Sequence, residues 1–286
     1  MSQRVGLIGH PVGHSISPLF QQAGFDAIGF DARYEAWDLA PEELEGHIDS
    51  LRDGALGANI TIPYKEAAAR HMDSLHQTAR FVGAINTIVQ EGGLLEGYNT
   101  DVAGFQRSLE AEGFDPVGKH AVIWGAGGAA RAVAWALIWR KVGAITIVNR
   151  TGIRAGRLRH DLASAPASDD VRLRATAIDS EDAPAALAAC DLVVHCTPVG
   201  LRGGGTESAT PFDVAQLQAE AQVIDLIANP LETPLVLAAK ARGLAAVGGM
   251  PMLVYQGVAS FELWTRQAAP VDTMFAAAEA AMRRAD

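Results

Sequence analysis

Lys65 and Asp101 pose the first chemical question. "GANITIPYKE", residues 57–66, delivers Asn59, Thr61 and Lys65 where a strand-like apolar run stops, and "YNTD" ends with a carboxylate at Asp101. An ammonium at a strand end, oriented by an aspartate and partly desolvated so that its pKa falls toward working pH, could give a proton to a nascent alkoxide. Alone, the pair leaves the matter open. Most lysines after a strand are solvated charges, and Asp101 would serve equally as the N-cap of a helix over "VAGFQRSLEAEG".

The second candidate is "GAGGAARAV", residues 125–133, directly after the strand-like "HAVIW" and opening a helix. Gly125, Ala126, Gly127, Gly128 and Ala129 would let backbone N–H groups approach a pyrophosphate at the positive end of that helix. Close helix-to-strand packing would use the same residues. The next strand settles which dinucleotide is meant. Where an NAD fold carries an acid for the ribose 2'-hydroxyl, this chain has Asn149, Arg150 and Thr151, then Arg154. Two guanidiniums and a hydroxyl suit a 2'-phosphate, and as plain surface charges they would oppose the dipole of the helix they start. The expected cofactor is NADP, which exchanges hydride with a carbonyl or alcohol.

Alternating strand and helix patterns must position these residues. Strands are predicted at 4–10, 32–38 and 57–62, helices at 18–29 and 41–53, and a hairpin around Glu91, Gly92 and Gly93. Six further strand segments, "HAVIW", "AITIVNR", "VRLRATA", "DLVVHC", "QVIDLI" and "LAAVGG", follow at the spacing of a doubly wound sheet. The fold class is α/β: an N-terminal α/β substrate domain (1–102), a Rossmann-type NADP domain (103–247), and a C-terminal helical segment (248–286) packing back on the first domain.

Composition fits that division. The chain has 286 residues, 49% hydrophobic and 20% charged, with 29 glycines. A net charge of −10 argues against a nucleic-acid surface but leaves room for one basic pocket. The two cysteines, Cys190 and Cys196, fit neither a disulfide framework nor a metal-ligand set, so no metal is expected. No apolar run is long enough to span a bilayer, and the cytoplasm is the expected location.

At this point the chain resembles the shikimate dehydrogenase family over nearly its whole length. "GHPVGHSISPLF", "GANITIPYKEAA", "GAINTIV", "YNTD", "GAGGAARAV" with "NRTGIRA", and "GGMPMLVYQGVASFELWT" are similar to that family's motifs in the same order. The resemblance implies reversible, NADPH-dependent reduction of 3-dehydroshikimate to shikimate, in the pathway to aromatic amino acids, by a monomer or homodimer. It implies Lys65 and Asp101 as the catalytic pair, Lys65 supplying the proton to the C3 oxygen. Ser15 and Ser17 would hold the substrate carboxylate, and Thr61, Asn86 and Gln256 the ring hydroxyls. Gly249 would lie beside the nicotinamide. Ser-x-Ser-Pro is also a common helix start, Thr61 could be a strand residue, Asn86 a turn former and Gln256 a partly exposed helix position. Four positions depart from the pattern: Ala228 replaces a tyrosine placed near the carboxylate, His195 an asparagine, Gln21 a histidine, and Val102 a glycine. Ala228 keeps quinate, aminoshikimate or a related cyclic acid as alternative substrates. A non-catalytic NADP-binding regulator is the reading from another class, and it would not need the acid/base pair.

Overall fold

In the computed structural model, which describes residues 2–285, the first apolar run forms β1 (Gln3–Gly9), whose last five residues are all buried. Such a run belongs inside a parallel sheet. β1 pairs in parallel with β2 (Ala32–Asp38) and with β3 (Ala55–Ile60). β2 alternates buried and exposed positions, as an edge strand covered on one face should. α1 (Ser17–Ala27) and α2 (Leu44–Ser50) return the chain between these strands. After β4 (Ser74–Leu75) and α3 (Gln77–Val82), β5 (Thr87–Glu91) and β6 (Leu94–Tyr98) form the expected antiparallel hairpin. The sheet runs β2-β1-β3-β5-β6-β4. Ile8, Ile48, Ile60, Ile85, Ile88 and Leu95 fill its core.

α4 (Asp101–Ala111) leads to the second sheet. Its elements are β7 (His120–Trp124), α5 (Gly128–Trp139), β8 (Ala144–Asn149), α6 (Gly152–Ala163), β9 (Arg172–Ala177), α7 (Asp182–Ala188), β10 (Leu192–His195), β11 (Gln222–Asp225), α8 (Pro234–Ala241) and β12 (Ala246–Val247). All six strands are parallel, in the order β12-β11-β10-β7-β8-β9. This is the doubly wound Rossmann order, and its switch point lies between β7 and β10. α9 (Met250–Thr265) and α10 (Val271–Ala285) complete the chain. The chain forms two compact units, one up to Gly104 plus residues from Val254 onward, the other Phe105–Leu253. Within the first unit α10 packs on α1.

Three local expectations need correction. The strand at 57–62 lies two residues earlier, so Thr61 and Ile62 stand outside it, although Thr61 N–H still bonds the Ile8 carbonyl at 2.9 Å. The helix at 41–53 is a 3₁₀ turn, Pro41–Glu43, followed by the short α2, because Glu43 folds back to accept from the Ala40 N–H at 2.7 Å and Gly54 at φ +87° turns the chain away. Asp101 is the first residue of α4 and its carboxylate is bound elsewhere, so it is not the cap.

Candidate active site

Beyond β3 the chain turns sharply, Tyr64 N–H bonding the Thr61 carbonyl at 2.9 Å, and Ile85 N–H then anchors the Lys65 carbonyl at 2.9 Å. Lys65 therefore stands on a turn before a 3₁₀ segment, Ala68–His71, rather than on a helix. Its ammonium donates to Asp101 Oδ2 at 2.7 Å, the two side chains being 31% and 11% exposed. A pair so placed is shielded from most water yet open to a ligand.

Asn86 fixes the carboxylate from the other side. Its Nδ2 donates to Asp101 Oδ1 at 2.8 Å and to Gln256 Oε1 at 3.2 Å. The amide cannot be turned over, because its Oδ1 already accepts from Thr100 N–H at 2.8 Å. Lys65, Asp101, Asn86 and Gln256 thus form one hydrogen-bonded chain within the first unit, and Thr61 shares the Lys65 turn. Ser17 begins α1, and its N–H bonds Ser15 Oγ at 3.2 Å. The two serines thus belong to the turn that opens α1.

Behind Asn86 lies a buried polar network of which the sequence singled out Asn59 alone. The hydroxyls of Thr87, Thr100 and Ser260 lie within hydrogen-bond distance of one another, and Asn59 Nδ2 reaches the Asn86 carbonyl, Thr87 Oγ1 and Ser260 Oγ at 3.0–3.1 Å. Asn59 Oδ1 accepts from Tyr34, whose phenol burial keeps protonated by raising its pKa. Two signals could have found it. Asn59 sits two residues before Thr61, and Ser260 follows Gln256 by four on α9, hence on the same helix face.

The second unit carries the other candidates. Gly125, at φ +129°, is where a Cβ would come within 2.9 Å of the Cys196 carbonyl, so no other residue fits without movement. Gly127 and Gly128 meet nothing within 4 Å, leaving the first turn of α5 open to a group that needs its free N–H donors. No acidic side chain stands in that turn. At the end of β8, Asn149 Nδ2 bonds the Thr151 carbonyl at 3.0 Å, and Arg150, Thr151 and Arg154 are exposed. Neither arginine has an ion-pair partner among the described residues. Two uncompensated cations at a helix start, beside an open glycine turn, fit a phosphorylated dinucleotide. Ala126 and Ala129 are half-buried in the same turn. Gly249 has a different constraint: a Cβ there would lie 2.2 Å from the Leu226 carbonyl, so backbone packing alone requires glycine.

The chain is similar to known proteins. The family model for the shikimate dehydrogenase substrate binding domain matches residues 7–88, and that for the shikimate 5'-dehydrogenase C-terminal domain matches residues 249–279. A shikimate dehydrogenase (NADP(+)) from Symbiobacterium thermophilum is 48% identical over 279 residues, 97% of this chain and 94% of its own. The chain belongs to the shikimate dehydrogenase family. The crystal structure of shikimate 5-dehydrogenase from Thermus thermophilus, in complex with NADP(H) and shikimate, superposes with a TM-score of 0.86 at 36% identity, covering 98% of this chain and 99% of that one. Quinate dehydrogenase from Corynebacterium glutamicum in complex with NAD gives 0.88 at 31% identity, covering 98% and 99%.

Proposed function

We propose that this chain is an NADP-dependent oxidoreductase that interconverts 3-dehydroshikimate and shikimate, a step toward the aromatic amino acids. The observation that carries the mechanism is the 2.7 Å contact between Lys65 Nζ and Asp101 Oδ2, braced through Asn86. The Gly125–Ala129 turn would hold the pyrophosphate of NADP(H), with Asn149, Arg150, Thr151 and Arg154 at its 2'-phosphate, and the cofactor would supply or accept the hydride when bound. Reduction of the C3 carbonyl leaves an alkoxide. Lys65, a charged donor already oriented by Asp101, gives it a proton, and in the reverse direction takes one from the hydroxyl. Asp101 keeps the ammonium in one position. Thr61 and Gln256 bind the ring hydroxyls, each able both to donate and to accept, Asn86 joins them by exchanging its Nδ2 bond to Gln256 for one to the ligand, and the Ser15 and Ser17 hydroxyls bind the carboxylate. Gly249 would flank the nicotinamide.

Among the described residues no helix is long and apolar enough to cross a membrane, and the small-molecule partners are the two cyclic acids and the cofactor. The working state in this reading is a cytoplasmic monomer or homodimer. A regulator without catalysis is disfavoured by the braced Lys65–Asp101 pair, which cofactor binding alone would not need. A quinate-type substrate is the second reading, because Ala228 stands where the family resemblance carries a tyrosine. Replacing Lys65 with alanine should lower kcat by about 10² to 10⁴, with a smaller change in KM. An unchanged kcat would remove Lys65 from the mechanism. Asp101→Asn should lower kcat as well, and parental turnover there would show that the ammonium needs no carboxylate.

A further inference from the structure

The second unit contains a buried relay at the C-terminal ends of β10 and β11 that the reaction above does not use. Asp225 and His195 are fully buried. The carboxylate accepts at Oδ1 from His195 Nδ1 at 2.9 Å and from Ile227 N–H at 3.1 Å, and at Oδ2 from Thr233 Oγ1 at 2.6 Å. Thr233 is thereby tied down while its oxygen caps α8 through Val236 N–H. On its far side the imidazole meets the half-buried Thr197, Nε2 to Oγ1 at 2.5 Å.

With a neutral imidazole these contacts fix a polarity. A ring nitrogen facing a carboxylate carries the hydrogen, so in the neutral tautomer Nε2 is left as an acceptor. Thr197 must then turn its hydroxyl hydrogen inward, and its oxygen is offered outward with one long approach, from Val199 N–H at 3.4 Å, on it. The place matters. Thr197 follows β10, which adjoins β7 at the switch point of the sheet, where doubly wound folds bind their ligand. The intervening Cys196 carbonyl packs against the side-chain-free Gly125, and Cys196 N–H bonds the Trp124 carbonyl at 2.8 Å. The segment is therefore part of the wall that carries the glycine turn.

We infer that Asp225 and His195 are positioning residues that lock Thr197 Oγ as a hydrogen-bond acceptor for a donor group of the bound dinucleotide, an amide N–H or a ribose hydroxyl. This rests on the NADP reading given above. Thr197 touches the cofactor, whereas His195 acts only through it. A hydroxyl free to rotate would donate as readily as accept, and the relay removes that freedom.

The test is equilibrium binding of NADP, by calorimetry or by quenching of protein fluorescence, with Tm recorded for every variant. Thr197→Val should raise Kd roughly three- to tenfold, the loss of one neutral hydrogen bond, and Thr197→Ser should restore it. His195→Asn keeps a donor for Asp225 but is too short to reach Thr197 as well. It should fold, raise Kd by a similar factor, and leave the KM for shikimate unmoved. In a double-mutant cycle, His195→Asn combined with Thr197→Val should cost no more than either alone. Repeating the Thr197→Val comparison with the 3-acetylpyridine analogue of NADP, which lacks the amide N–H, separates the donors: the loss vanishes if the amide is bound and persists if a ribose hydroxyl is. An unchanged Kd in Thr197→Val, or independent effects that multiply in the double variant, would overturn the relay. Failure of the unaltered protein to bind NADP would instead overturn the cofactor reading.

Discussion

At the residue scale the acid/base reading gains its strength from what Asp101 is not doing. Its sequence position suited a helix cap, yet both carboxylate oxygens are taken by Lys65 and Asn86. Residue types and spacing singled out Lys65 and Asp101 in the sequence, and motif likeness Asn86 and Gln256; the structure joins the four by hydrogen bonds. The supports of Asn86 were not legible in the sequence, since Thr87, Thr100 and Ser260 look like ordinary strand, loop and helix residues until three segments meet. Ala228 is the residue at which the substrate question turns. If the substrate is shikimate, the absence of the tyrosine hydroxyl that the family resemblance implies would cost about 0.5–1.5 kcal/mol, and Ala228→Tyr should lower KM for shikimate. If the small side chain serves a bulkier acid, the same substitution should depress kcat/KM for quinate relative to shikimate. Steady-state kinetics with both acids on parent and variant decide between the two.

At the element scale the second sheet was readable almost strand by strand. β7, β8, β10 and β11 are mainly apolar and buried runs, and each follows a turn or helix-length segment that the sequence marks with glycine, proline or charge. β4, with two residues, has no period to detect, and α2 was overextended because a 3₁₀ turn and a helix share the same acidic start. Glycines with the same letter have different duties at this scale. Gly249→Ala would press a methyl into the Leu226 carbonyl and should destabilise the second unit by about 1–3 kcal/mol in urea denaturation. Gly128→Ala meets nothing within 4 Å and should leave stability unchanged or raised by roughly 0.5–1 kcal/mol, while weakening NADP binding. Equal stability losses in the two would contradict the distinction between packing and cradle.

At the scale of the whole molecule, a chain of net charge −10 carries two exposed arginines, Arg150 and Arg154, at one helix start, the pair proposed to meet the cofactor's 2'-phosphate. Removing Arg150 and Arg154 together should weaken NADP binding by on the order of 1.5–3 kcal/mol for each contact and leave NAD binding nearly unchanged. Equal losses for both cofactors would place these arginines away from the 2'-phosphate. The order of elements, two sheets linked in sequence through α4 and followed by α9 and α10, was visible in the alternation of patterns. The hydrogen-bond directions inside each unit were not, because they depend on which segments face one another. The central claim is tested most directly by the initial rate of nicotinamide reduction by the unaltered protein, with shikimate or quinate as substrate and NADP or NAD as cofactor. The account predicts the highest kcat/KM for shikimate with NADP. Faster oxidation of quinate, or a preference for NAD, would contradict it.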